Sequence, residues 1–180
     1  MIQKSSAVLF LTLMLWSGCV YEATPGPPQP SHPSNCGSVT ALVNGTAWPG
    51  ISAGVVWATN GRLNLDLDAY GIEGWMDGYL GIENVQPSIG DTQRVFPLIS
   101  WSNDTTGAFY MIANGDAVYG SYQLAAEDTS AFVMIDSITK EKIWGRFDSL
   151  VLISLFSSPA HPGLPDTVRF TKGKFEACVK

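Results

Sequence analysis

Between residues 62 and 69 the chain alternates without a break: Leu63, Leu65, Leu67 and Ala69 take one side, and Arg62, Asn64, Asp66 and Asp68 the other. A period of two belongs to an extended strand with one buried face, because a helix would scatter these residues around its axis. Asn-Gly pairs at 44–45, 60–61 and 114–115 fall between apolar runs. Each supplies the two positive-φ positions of a type I′ turn, so each predicts a two-residue hairpin. Runs of the same kind predict strands at 38–44, 52–59, 75–85, 93–100, 106–113, 117–125, 130–138, 142–155 and 167–179. The expected fold class is all-β: an antiparallel β-sandwich or barrel of about 8–10 strands. Composition agrees, since 18 Gly and 11 Pro with only 14% charged residues suit a turn-rich chain and not a helical bundle. The run 150–155 loses clean alternation, and a strand covered on both sides is expected there.

The domain is expected to span 37–180, and what precedes it reads differently. Lys4 precedes the apolar stretch Ala7 to Trp16, which is too short to cross a bilayer core of about 20 residues and suits a secretory leader. Leu15-Trp16-Ser17-Gly18-Cys19 resembles a bacterial lipobox, with Trp16 where a smaller aliphatic residue is usual. That order predicts a signal peptide over 1–18, a lipid (palmitate-type) anchor on Cys19 and residence in the cell envelope, the outer membrane being favoured because Val20, not Asp, follows the Cys. Either leaflet remains open. Residues 19–36 carry Pro25, Pro27, Pro28, Pro30 and Pro33 and predict an extended tether that leaves His32 outside any site. With Cys19 acylated, Cys36 and Cys178 form an even pair in an oxidising compartment, and a disulfide between the two ends of the domain is expected.

Charge is segregated. Residues 37–139 hold two basic and 11 acidic side chains, whereas 140–180 hold seven basic and four acidic ones. A net charge of −6 excludes a nucleic-acid backbone as the natural partner. Asn64, Asp66, Asp68, Glu73 and Asp77 are the densest acidic group. Their spacing lacks the glycine of a calcium loop, so no metal site is assigned. Three readings stay open for the group: a face that binds a partner, a solvated strand face, or acids packed against the basic C-terminal stretch.

Gly145-Arg146-Phe147-Asp148 recurs as Gly173-Lys174-Phe175-Glu176, which predicts two neighbouring strands using one device. A loop symmetric about His161 would set Phe147 opposite Phe175, Arg146 opposite Glu176 and Asp148 opposite Lys174.

Ala41-Leu42-Val43-Asn44-Gly45-Thr46-Ala47-Trp48 resembles the V-N-G-x-x-W opening of a family of uncharacterised bacterial lipoproteins. Phe132–Asp136, Ile143–Phe147 and Val168–Phe175 resemble its later segments, the last two its G-x-F and closing T-x-G-x-F strands. The resemblance runs in outline over 39–176 and implies a lipid-anchored, all-β ectodomain. It carries no catalytic residue with it.

Trp75 and Tyr79 beside Glu73 and Asp77 are the candidate ligand-binding residues, because flat rings next to carboxylates suit sugar stacking. The functional expectation is a non-catalytic binding or structural module with a glycan or protein (peptide) partner and no cofactor. The rival is a hydrolase using carboxylates within 64–83. His161 is the only histidine of the domain, and neither a G-x-S-x-G elbow nor an H-E-x-x-H helix occurs.

Overall fold

The computed structural model describes residues 36–48, 50–70, 76–97, 105–114, 117–126, 129–155 and 164–180. The expected signal peptide, the lipid site Cys19 and the tether as far as Asn35 lie outside these residues, as do Glu73, Trp75 and His161. The strands are β1 (Ser38–Val43), β2 (Thr46–Trp48), β3 (Gly50–Trp57), β4 (Leu63–Tyr70), β5 (Met76–Val85), β6 (Thr92–Arg94), β7 (Gly107–Asn114), β8 (Ala117–Leu124), β9 (Phe132–Ile138), β10 (Lys142–Asp148), β11 (Leu150–Ser154) and β12 (Thr167–Val179). Among the described residues there is no helix, as the period-two pattern required.

All of these strands belong to one sheet in the order β11-β8-β7-β5-β4-β3-β12-β10-β9-β6. An added β11–β12 pairing closes part of that path into a ring. Every ladder is antiparallel except β12–β3, where Cys178 and Val179 run parallel to Gly54 and Val55. β1 lies along β12 and carries β2 on its other side. The alternation of β4 is the clearest product of the sequence. Leu63, Leu65, Leu67 and Ala69 are at most 2% exposed, inside a single core with Leu80, Ile82, Phe147 and Phe170.

Two turn expectations need correction. Asn44-Gly45 makes the foreseen hairpin, both residues at positive φ, with Val43 opposite Thr46. Asn44 also exchanges hydrogen bonds with the Arg169 backbone at 2.9 Å. The turn folds Trp48 inward, where its ring meets Phe170 edge-on at 5.2 Å. At 60–61 only Gly61 is left-handed, and the Ala58 N–H to Arg62 oxygen bond closes a longer loop than the type I′ pair requires. At 114–115 the pairing of Asn114 with Ala117 makes the connecting residues 115–116, which lie outside the described residues.

The strand count exceeds the expected range because one short piece and one break escaped the pattern. β2 has three residues, too few for a period to register, whereas the strand expected at 93–100 is realised among the described residues only as β6 with an isolated bridge at Phe96. The run 142–155 is divided at Ser149, which has φ 57°. Lys172, on the facing stretch of β12, has φ 54°. The buried positions step from Phe147 to Leu150 in one strand and from Phe170 to Gly173 in the other, so both reverse their inward phase together. Pairing therefore resumes in the same register beyond the break, as Leu150 opposite Phe170. β11 is not covered on both sides: Ile153 is 40% exposed and Leu155, just beyond the strand, 51%.

The hairpin of β10 with β12 exists, but two residues away from the expected register. Phe147 faces Gly173, Gly145 faces Phe175 and Arg146 faces Lys174. Both rings stay on the inner face, as expected, yet they do not face each other. Each instead covers the glycine across from it, and a methyl group at either glycine would overlap the ring. Space decides the register: Phe opposite Gly fills an inner layer that two facing rings would crowd. The expected ion pairs move accordingly. Glu176 bonds Lys142 and accepts from Trp144 Nε1 at 3.0 Å, while Arg146 meets Asp136 at 3.5 Å.

Candidate functional site

The outward side chains of β4 and its neighbours gather most of the polar chemistry predicted for 64–83. Across the sheet, Asp66 stands between Gly54 of β3 and Gly81 of β5, and Asp68 between Ser52 and Tyr79. With no side chain on either flank, Asp66 is reached by longer residues from further off. The Lys180 side chain lies over Gly54 and its Nζ comes within 3.3 Å of Asp66 Oδ2. Phe109 lies over Gly81, with its ring 5.5 Å from that of Tyr79. The Tyr79 hydroxyl donates to Asp66 Oδ1 at 2.7 Å.

These contacts set the protonation states. Burial pushes the Tyr79 phenol far up, and the hydrogen bond to Asp66 and the charges of Asp66, Asp68 and Glu83 add to the shift. Tyr79 is therefore a fixed hydroxyl donor and not a base. Burial also raises Asp68 above the usual carboxylate range, against a lowering by Lys180, with Asp66 raising it further. Glu83 is raised by burial and then by Asp66. Asp68 is only 8% exposed and lines a hollow of about 250 Å³ with Ser52, Gly54, Lys180 and the Cys36–Cys178 bridge.

That bridge is formed, with sulfur atoms 2.07 Å and Cα atoms 5.7 Å apart. Of the residues proposed from sequence as a ligand site, Tyr79 is on the face described. The side chain of Asp77 lies outside the described residues, although its backbone is in β5. No group of three or more His, Cys, Asp or Glu side chains suited to a metal ion occurs among the described residues. Of the three readings of the acidic group, packing against the C-terminal bases is realised at Lys180 with Asp66, and Asp68 is too buried for a solvated face. Sequence reasoning missed Lys180 and Phe109. They sit far along the chain, and only the register that places Gly54 and Gly81 beside Asp66 brings them in.

The comparisons with known proteins return no match: no family model, no curated protein and no solved structure.

Proposed function

We propose that this chain is a lipid-anchored envelope protein whose β-domain binds a ligand without transforming it, a glycan being the class that fits best. The reading rests on one observation, the pairing of Tyr79 and Phe109 rings with the carboxylates of Asp66 and Glu83 on one outward face. Rings offer apolar surface to the C–H face of a sugar, and carboxylates accept from its hydroxyls. A hydrolase at the same place needs one carboxylate free to act as base or nucleophile opposite a protonated partner. Both oxygens of Asp66 are already engaged, by Tyr79 and Lys180. The adjoining hollow of about 250 Å³ is also smaller than the roughly 300–1,000 Å³ of enclosing small-molecule sites.

The test is a titration of the full chain in detergent with a panel of neutral and acidic oligosaccharides, read by intrinsic fluorescence and by product analysis. Saturable binding that is lost in Phe109→Ala and Tyr79→Ala, without cleavage products, supports the reading. Released reducing ends would sink it in favour of the hydrolase. Anchoring is tested separately, since Cys19→Ser should abolish incorporation of labelled palmitate and release the protein from the membrane fraction.

A further inference from the structure

A second hollow lies elsewhere, on the outer face where β1, β12 and β10 meet. Its volume is about 490 Å³ and its lining includes Thr40, Phe132, Arg146, Asp148, Lys172 and Lys174. The arrangement follows from the break described in the fold. Lys172, in left-handed conformation, adds one residue to β12 against β1, so that Thr40 faces Lys174 while Leu42 already faces Thr171. A bulge of this kind bends its strand and turns the flanking side chains aside, which opens the surface beneath them. Lys174 then lies directly opposite Arg146.

Two cations at directly paired positions repel, and a sheet without a reason to keep them places opposite charges there. The surroundings relieve the repulsion only in part. Asp136 is 3.5 Å from Arg146, both side chains being about half exposed. Asp148 Oδ1 accepts from the Ser149 N–H at 2.6 Å. Glu176, two pairs along, is held by Lys142 and Trp144. Among the described residues neither Lys172 nor Lys174 takes part in an ion pair. The hollow thus gathers three cations and one acid in a chain whose net charge is −6.

We propose that this hollow binds a phosphate group. A guanidinium offers parallel N–H donors to two oxygens of a tetrahedral anion, and two ammonium groups and a threonine hydroxyl can meet the others. With Asp148 counted, the lining carries two net positive charges, which a phosphate dianion balances and a single carboxylate does not. The phosphate can be free in solution or be the phosphomonoester headgroup of an anionic lipid, and the donors required are the same.

The full chain in zwitterionic detergent is titrated with inorganic phosphate at low ionic strength, and backbone amide shifts are followed by NMR. Saturable shifts at residues 172–174 and 146–148 are expected. Arg146→Gln and Lys174→Gln should each weaken the apparent affinity by about tenfold or more, the scale of a lost charge-assisted hydrogen bond, with Lys140→Gln unchanged. Thermal melting in the absence of phosphate checks folding, and Lys174→Gln should melt no lower than wild type because a like-charge pair is removed. A second arm places the full chain in nanodiscs with and without an anionic phospholipid. Shifts at the same amides only in the anionic discs assign the lipid headgroup, and shifts only with inorganic phosphate assign a soluble ligand. The proposal is overturned if no saturable shift occurs in either arm, or if Lys140→Gln weakens binding as much as Lys174→Gln.

Discussion

Gly145 and Gly173 each lie beneath a phenylalanine ring from the facing strand, an exchange that only hydrogen can fit. Gly173→Ala should therefore force the buried Phe147 ring out of place and cost about 1–3 kcal/mol, the range for overpacking a core, read as a lower urea midpoint at unchanged slope. Asp68 makes the opposite kind of statement. Its carboxyl is raised by burial, so the folded chain holds the proton more tightly than the unfolded chain does. Stability should then rise as pH falls from neutral through the folded-state value, and the gain should level off below the unfolded one. Asp68→Asn should melt higher than wild type at pH 7 and show less of this rise. Melting temperatures of both proteins across the acidic range check the sign. A wild-type curve that falls throughout, parallel to that of the variant, would contradict it.

Strands explain why parts of the fold were legible and others were not. The inner and outer faces of β4 and the hairpin at Asn44-Gly45 follow from local chemistry, since alternation and turn conformation are set within a few residues. Register between β10 and β12 is not local. It depends on how much volume the core leaves at Phe147, and a symmetric loop was a poor guide to that. The reversal at Ser149 and Lys172 left no mark in the sequence, because neither residue is a glycine. For the candidate site, the outward row Asn64, Asp66, Asp68 and the ring of Tyr79 were readable, whereas Lys180 and Phe109 required the sheet order. The left-handed position itself can be probed. Lys172→Gly should be neutral or mildly stabilising, whereas Lys172→Val should cost about 1–3 kcal/mol of backbone strain, measured by chemical denaturation. Equal loss in both variants would mean that the side chain, and not the backbone, matters there.

The whole molecule is organised around β12, its 13 residues pairing with β1, β3, β10 and β11. Ser38 opposite Glu176 joins the two ends of the domain, so these ladders form only after long loops close, and folding on the millisecond-to-second scale is expected. The Cys36–Cys178 bridge spans 142 positions and restrains the unfolded chain most where closure is longest. Cys178→Ser, or reduction of the wild type, should lower stability by about 2–5 kcal/mol in denaturant melts. An unchanged midpoint after verified reduction would show that the unfolded chain keeps its ends together without the bond.

The same bridge has a mechanical meaning. Cys36 lies two residues before the start of β1, so a pull on the chain from its N-terminal side meets a covalent crossing before it meets any ladder. The load passes at Cys178 to the end of β12, next to its short parallel pairing with β3. β1 is thereby shielded from being peeled away hydrogen bond by hydrogen bond. A domain held at that end can be dragged through a crowded medium and keep its fold for as long as the sulfur–sulfur bond survives.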